Sequence, residues 1–155
     1  KKQFPGYSVQ PITGDLINKT HECARRLFLE RNETSDTLKE ESQALNRAFE
    51  FFERLHLEGL VLLVDDRPVA FSIFSRLNST TYDIHFEKSD LTVKGSAQMI
   101  NHETAKYLRE KCKYLNREQD LGIQGLRQAK MSYDPETLLR VHRLVFKGYR
   151  PSLCQ

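Results

Sequence analysis

Two apolar segments separated by a short polar turn constrain the fold of this chain more than any other feature. Leu60–Val64 and Pro68–Ser75 flank the turn sequence Asp65-Asp66-Arg67. Apolar runs of this length around a turn signal predict a β-hairpin whose two strands are largely buried. A third strand is predicted next, because apolar and polar residues alternate strictly there. The apolar positions are Tyr82, Ile84 and Phe86, and the polar positions are Asp83, His85 and Glu87.

Helical periodicity dominates the residues before the hairpin. Thr13 can cap a helix that runs to about Arg31. A second helix is predicted from Ser35 or Asp36 to Leu55, because apolar residues recur there at helical spacing. The residues before the first helix are predicted to form a loop that contains Pro5, Gly6 and Pro11.

A glycine-containing junction follows the third strand. The loop Lys88–Lys94 leads through Gly95-Ser96 into a helix of about Ala97–Lys111. The element order ααβββαβαβ predicts an α/β (α+β) fold with a mixed central sheet and helices on both faces. The remaining predicted elements are a short strand Lys113–Asn116, a helix Leu121–Lys130 that Asp120 can cap, and a last strand Leu139–Lys147.

Length and composition are those of one globular domain. The chain has 155 residues, of which 39% are hydrophobic, and is too short for two typical domains. We therefore expect residues 1–155 to form a single domain. No run approaches the roughly 20 apolar residues of a membrane-spanning helix. The chain begins with Lys1 rather than Met, so we expect it to be part of a longer polypeptide.

Cysteine and histidine residues show no pattern of metal or nucleophilic chemistry. The three cysteines are far apart and no signal-peptide pattern is present, so we expect reduced thiols and a cytoplasmic location. No Cys-x-x-Cys or His-Glu-x-x-His spacing occurs, and we therefore predict no metal. Cys23 and Cys112 fall in or at the end of predicted helices, where structural thiols are common.

The element order and the strand, glycine, helix junction resemble the GNAT acyltransferase fold. In that family the third of these strands diverges from the next, and backbone N–H groups that open the following helix hold the pyrophosphate of acyl-CoA. The family's Gln/Arg-x-x-Gly-x-Gly/Ala loop falls on residues 92–97, where Gly95 and Ala97 fit and Thr92 departs. The resemblance thus implies acyl-CoA as a donor substrate. We expect donor contacts from Lys94, Gly95, Ser96, Ala97, Gln98 and Arg117, with a solvated loop lysine as the alternative role of Lys94.

A longer set of motifs extends from Phe4 to about Phe146. It includes the run at 116–122, Asn-Arg-Glu-Gln-Asp-Leu-Gly, followed by Gly-Leu-Arg at 125–127 and Lys-Met-Ser-Tyr-Asp-Pro at 130–135. These motifs resemble a bacterial family similar to the C-terminal domain of phosphatidylglycerol lysyltransferase. The resemblance implies two tandem GNAT-like domains, with an upstream domain of the same polypeptide as partner. It also implies transfer of acyl or aminoacyl groups, from acyl-CoA or charged tRNA, to small-molecule amines or lipid hydroxyls.

Transfer to an amine directs attention to the polar positions of the third strand. The amine must be neutral, and a lysine-like amine with a pKa near 10.4 costs roughly 4 to 5 kcal/mol to deprotonate at neutral pH. Glu87 occupies the place where many GNAT enzymes carry a general base, and His85 lies two residues earlier on the same predicted face. A polar strand face toward solvent or a partner domain would explain both residues as well.

Three further residues are candidates for catalysis. Asn116 and Asp120 follow the short strand, where they can face the reacting carbonyl or the phosphates of the donor. Capping of the next helix is an alternative role of Asp120. Tyr133 can donate a proton to the leaving thiolate, as tyrosines do in many GNAT enzymes, and core packing is its alternative role.

Basic residues leave a second functional hypothesis open. Arg127 and Lys130 share a helix face and can bind phosphates of tRNA, CoA or lipid headgroups, although a solvated face is the default explanation of this pair. The net charge of +3 is too small to indicate nucleic-acid binding by itself. The alternative function is a non-catalytic GNAT-like half that docks on its partner domain and binds an anionic ligand or nucleic acid.

Overall fold

A five-stranded mixed sheet forms the centre of this computed structural model, which describes residues 6–29, 36–120, 122–140, 142 and 144. The elements in chain order are β1 Tyr7–Pro11, α1 Asp15–Leu29, α2 Asp36–Glu50, β2 Glu58–Val64, β3 Arg67–Arg76, β4 Thr81–Ser89, α3 Ser96–Leu108, β5 Tyr114–Asn116 and α4 Gln124–Met131. The strands lie in sequence order, antiparallel from β1 to β4, with β5 parallel to β4. The chain divides into two compact units, residues 1–118 with the whole sheet and residues 119–155 with α4.

Helices cover both faces of the sheet in the first unit. Leu27 of α1 and Phe49 of α2 pack with Phe71 of β3 in one core layer. Ile100 of α3 packs with Phe74 of β3 in the layer on the opposite face. Each helix buries one apolar stripe against the sheet, which is the arrangement that stabilises this class of fold. The predicted α/β fold with a mixed central sheet and helices on both faces is therefore confirmed.

The first strand, β1, departs from the sequence prediction. Gly6 and Pro11 favour a loop, but Tyr7 lies opposite Val64 and Pro11 lies opposite Leu60 in an antiparallel pair. An edge strand needs hydrogen bonds on one side only, so it tolerates a proline at its end. The loop prediction is wrong for residues 7–11, while Pro5 lies outside the described residues.

The bounds of the first helices differ from the prediction at their ends. α2 ends at Glu50 rather than Leu55, because turns follow it and His56 adopts a left-handed φ of 51°. The N–H of Leu57 donates to the carbonyl of Phe52 at 3.0 Å, which closes this turn before β2. The predicted first-helix end at Arg31 lies outside the described residues.

The predicted last strand is not formed by its described residues. Leu139, Arg140, His142 and Leu144 have no regular secondary structure and are exposed. A strand is stable only with a hydrogen-bonded neighbour and an apolar layer to pack on. These four residues pair with none of the described strands, and the rest of the prediction lies outside the described residues.

A β-bulge at His85 breaks the predicted alternation of β4. Ile73 of β3 lies opposite Phe86 and Phe74 lies opposite Ile84, so His85 has no partner residue on β3. Phe86 consequently packs in the layer of α1 and α2, whereas Ile84 packs in the layer of α3. An extra residue in one strand reverses the alternation beyond it.

The bulge places Glu87 and His85 on opposite faces of the sheet. Glu87 lies opposite Ser72 and contacts Asn101 of α3. His85 contacts Ser75, which alternates with the α3-facing Phe74 and therefore belongs to the other face. The prediction that Glu87 and His85 share one polar face is wrong.

Strands β4 and β5 separate after a short paired stretch. They pair from Thr81 opposite Tyr114 to Asp83 opposite Asn116. β4 continues to Ser89, whereas β5 ends at Asn116. Beyond Asp83, one edge of β4 therefore has no partner strand within the described part of the chain, and a gap opens there.

Candidate active site

The loop between β4 and α3 is organised around the buried side chain of Asp90. Asp90 is 2% exposed, and its Oδ1 accepts hydrogen bonds from the backbone N–H and the hydroxyl of Thr92. Its Oδ2 lies 3.7 Å from Arg26 Nη2 and 3.5 Å from Arg67 Nη2. Burial favours the protonated acid, but the Thr92 hydrogen bonds and the two guanidinium charges outweigh burial and hold the pKa of Asp90 below its usual value.

Gly95 is the N-cap residue of α3 and has a left-handed conformation. Its φ of 90° and ψ of −2° are strained for any residue with a side chain, so glycine is needed here. The N–H of Ser96 donates to the carbonyl of Val93 at 3.1 Å, while the N–H groups of Ala97 and Gln98 have no backbone acceptor among the described residues. Free N–H groups at a helix start favour an anion through hydrogen bonding and the helix dipole.

The predicted phosphate-binding residues fall into two classes of accessibility. Ser96 is buried, and its hydroxyl donates to the carbonyl oxygen of Asp90 at 3.0 Å. The Ser96 side chain therefore supports the loop from inside. The other four residues present the surface that a ligand can reach, because Lys94, Gly95, Ala97 and Gln98 are exposed.

Glu87 on β4 is held by residues of two neighbouring segments. Arg117 Nη2 donates to Glu87 Oε1 at 3.1 Å, and Asn101 Nδ2 donates to Glu87 Oε2 at 3.2 Å. The Glu87 side chain remains 19% exposed. An ionised carboxylate accepts about four hydrogen bonds, so this one retains lone pairs for a further donor. The structure thus brings together two predicted site residues, Glu87 and Arg117, and adds Asn101.

Asn116 shapes the turn that follows β5. Its Oδ1 accepts the backbone N–H of Glu118 at 3.1 Å, and Glu118 has a left-handed φ of 54°. Arg117, between them, reaches Glu87, while Glu118 Oε1 lies 3.3 Å from His85 Nδ1. The Asn116 side chain therefore positions the turn, and its contact with a substrate carbonyl stays a prediction.

In the second unit, Asp120 forms a two-point ion pair with Arg127. Arg127 Nη2 lies 3.2 Å from Asp120 Oδ1, and Arg127 Nε donates to Asp120 Oδ2. The N–H of Gly122 donates to Asp120 Oδ1 at 2.9 Å. The hydrogen bonds between the two side chains hold the pKa of Asp120 below and that of Arg127 above their usual values. Lys130 Nζ donates to the carbonyl of Gln119 at 2.6 Å.

Two alternative roles predicted for residues of the second unit are wrong. α4 begins at Gln124 with Ile123 at its N-cap, so Asp120 lies before the helix and does not cap it. Tyr133 is 48% exposed and does not pack in a core. The catalytic roles predicted for Asp120 and Tyr133 stay predictions.

Asp90 and Asn101 escape prediction from the sequence. The spacing of Asp90 and Thr92 is a signal for a side-chain turn, but it does not show that the carboxylate is buried or paired with arginines. Asn101 follows the buried Ile100 on α3, and helical periodicity cannot reveal that it faces Glu87. Both contacts depend on pairing between distant parts of the chain.

A comparison with protein families agrees with these features. The model of the family "Phosphatidylglycerol lysyltransferase, C-terminal" matches residues 3–142. The chain belongs to this family. The matched region contains Glu87, Arg117 and the whole β4–α3 junction. The resemblance inferred from the sequence motifs is therefore confirmed.

Solved structures show the same fold. A conserved protein of unknown function from Bacteroides thetaiotaomicron VPI-5482 is 38% identical with a TM-score of 0.84, and the match covers 88% of this chain and 47% of that one. This chain thus spans about half the length of that relative.

Acetyltransferases are among the more distant structural neighbours. The ribosomal-protein-alanine N-acetyltransferase of Brucella melitensis biovar Abortus 2308 is 18% identical with a TM-score of 0.60, covering 90% of this chain and 99% of that one. AAC(6')-Iy, in complex with the bisubstrate analog CoA-S-monomethyl-acetylneamine, is 10% identical with a TM-score of 0.54, covering 93% and 98%. At these identities the similarity establishes the fold, which is GNAT-like.

No curated protein matches the chain. Among the described residues, no helix combines the length and the apolar composition that a membrane span requires.

Proposed function

We propose that this chain is the C-terminal GNAT-like domain of a tandem protein and transfers an acyl or aminoacyl group. The donor is acyl-CoA or charged tRNA, and the acceptor is an amine or a lipid hydroxyl. The observation that carries the proposal is the gap between β4 and β5. Glu87 of β4 lies at the edge of this gap, and α3 begins after the same strand. Family membership supports the transferase class, and the half-length match to the Bacteroides protein supports the tandem arrangement.

The start of α3 is the proposed site for the phosphates of the donor. Lys94 supplies a positive charge beside the exposed Gly95, and the N–H groups of Ala97 and Gln98 are available for anionic oxygens. AAC(6')-Iy, which shares this fold, binds a CoA-containing analog. The buried Asp90 carboxylate stabilises the loop by accepting two hydrogen bonds from Thr92.

Glu87 is the proposed general base for an amine acceptor. The amine nitrogen attacks the carbonyl carbon of the donor, the carbon–sulfur bond of a thioester breaks, and the sulfur leaves as a thiolate. The proton released by the amine passes to Glu87, directly or through one water. Tyr133 is the proposed donor of the proton that the thiolate takes up. Arg117 and Asn101 hold the Glu87 carboxylate in one orientation, so their role is positioning.

Titration calorimetry with acetyl-CoA tests the donor site. We expect micromolar binding to this chain that is lost in Gly95→Asp, because the new carboxylate lies where phosphates would bind and the left-handed φ strains the backbone. Gly14→Asp is the matched control, since Gly14 also has a positive φ, precedes a helix and has open space around it. Equal acetyl-CoA affinity of the wild type and Gly95→Asp would contradict the assignment.

The competing hypothesis of a non-catalytic, nucleic-acid-binding half depends on Arg127 and Lys130. Both residues contact their own unit, through Asp120 and Gln119, which supports a structural role for them. Titration of tRNA at several salt concentrations separates the hypotheses. Steeply salt-dependent binding that is lost in Arg127→Ala plus Lys130→Ala would favour the binding module. Acetyl transfer without such binding would favour the enzyme.

A further inference from the structure

Three potential metal ligands converge where β4 and β5 begin to separate. One ligand atom each of Asp83, His85 and Glu118 lies within 4.8 Å of the other two. His85 Nδ1 is 3.3 Å from Glu118 Oε1 and 4.0 Å from Asp83 Oδ2. These atoms are close enough together to share a single ion, and none of them belongs to the Glu87 cluster on the opposite face of the sheet.

The parallel register of the two strands explains the convergence. Asp83 lies opposite Asn116, so His85 and Glu118 each follow this pair by two residues along their own segments. The bulge at His85 turns its imidazole to the face of Ser75. Strand pairing therefore brings Glu118 to Asp83 and His85, a contact that sequence spacing alone does not predict.

Ser75 orients the imidazole of His85. Ser75 Oγ lies 2.8 Å from His85 Nε2. When Nε2 carries the proton and donates it to Ser75, the lone pair of Nδ1 points to the two carboxylates. Histidines that bind metals typically use one ring nitrogen as ligand and donate the other N–H to an oxygen. The Ser75 contact supplies this arrangement.

Asp83 gives a second, independent indication of a cation. Its side chain is 15% exposed, and its Oδ1 is buried without a hydrogen-bond partner among the described residues. A buried carboxylate oxygen without a donor destabilises the folded state. A cation bound by the Asp83 carboxylate would offset its charge and that of the neighbouring Glu118 carboxylate.

We propose that Asp83, His85 and Glu118 bind one divalent transition-metal ion, and that zinc fits their mixed nitrogen and oxygen ligands. Three protein ligands leave the fourth tetrahedral position for water, which reaches the site beside the 46% exposed Glu118 side chain. The ion ties the bulge of β4 to the turn after β5. Arg117 belongs to that turn, so the ion also steadies the residue that holds Glu87.

Calorimetric titration of zinc into the chelator-treated chain tests the proposal. We expect one ion per chain in the wild type and in His102→Ala, which removes an exposed histidine of α3 outside the cluster. His85→Ala should lose this ion. Ser75→Ala should bind it about 10 to 100 times more weakly, because the imidazole loses its orienting partner.

The Glu118→Gln variant distinguishes loss of a metal ligand from a folding defect in His85→Ala. Glu118 lies at the surface, so its amide variant should keep the wild-type circular dichroism and still lose zinc affinity. Zinc should also raise the melting temperature of the wild type and leave that of Glu118→Gln unchanged. Absence of binding to the wild type, or zinc binding by His85→Ala and Glu118→Gln with the wild-type affinity, would overturn the proposal.

Discussion

Arg117 Nη2 lies 3.1 Å from Glu87 Oε1 and joins β4 to the turn after β5 beyond the point where the two strands cease to pair. Without this ion pair, the two segments are linked beyond residue 83 mainly by side chains of the opposite face, such as His85 with Glu118. The guanidinium therefore does more than balance a charge. It fixes the position of the proposed base at the edge of the gap.

Glu87→Gln should lower the rate of acyl transfer to an amine by about 10²- to 10⁴-fold, because an amide cannot accept the proton of the nucleophile. The amide oxygen can still accept from Arg117, and the NH2 group that replaces Oε2 can donate to Asn101 once the Asn101 amide turns its oxygen toward it, so acetyl-CoA affinity and the fold should be preserved. Steady-state transfer assays at saturating donor would measure the change. Glu22→Gln, exposed on α1, serves as the control and should retain the wild-type rate. A Glu87→Gln variant of wild-type rate would exclude Glu87 as the base.

Phe71→Ala should reduce the free energy of unfolding by about 3–5 kcal/mol. Phe71 is completely buried on β3 and packs edge-on against Phe49 of α2 with ring centroids 5.9 Å apart, so its removal leaves a cavity between sheet and helix. Urea unfolding followed by circular dichroism would give the difference. Leu29→Ala is the comparison, since Leu29 is 78% exposed and its removal should change stability by less than about 0.5 kcal/mol.

Sequence patterns predicted the elements that bury continuous apolar surface. The hairpin of β2 and β3 and the glycine that opens α3 follow from short-range signals, because burial and backbone conformation act within a few residues. β1 escaped prediction because its stability comes from pairing with β2 and not from its own apolar content. The bulge at His85 escaped for a related reason, since only the register with β3 shows that one residue is extra.

The candidate site also combines residues that local patterns predict with contacts that depend on the tertiary fold. Glu87 was predicted from its place on a strand, but its partners Asn101 and Arg117 lie 14 and 30 residues away in sequence. No local sequence pattern predicts that these side chains contact each other. The bulge also separated Glu87 from His85, and it turned His85 to a second cluster with Asp83 and Glu118.

Cys23 should react slowly with iodoacetamide in the folded chain. Its thiol is buried, and burial raises its pKa although the nearby guanidinium of Arg26 opposes the shift. The thiolate is the reactive form, so labelling at pH 8 should be about tenfold or more slower than in denaturant. Peptide mass spectrometry would follow Cys23 beside the more accessible Cys112. Equal labelling rates of Cys23 in folded and denatured chains would show that the thiol is not protected.

Asp90→Asn should destabilise the first unit by about 2 kcal/mol at pH 7, because the amide loses the attraction of Arg26 and Arg67. The pKa of Asp90 is lower in the folded than in the unfolded chain, so the unfolded chain binds more protons at acid pH. The stability from the carboxylate is therefore complete above about pH 4, near the unfolded pKa, and is lost as the pH falls through the folded pKa.

Urea unfolding from pH 7 to pH 3 should show that the stability advantage of the wild type over Asp90→Asn shrinks toward the acid end. Asp66→Asn, in the exposed β2–β3 turn, should show no comparable effect. A constant difference between wild type and Asp90→Asn across this range would contradict a role for the ionised carboxylate.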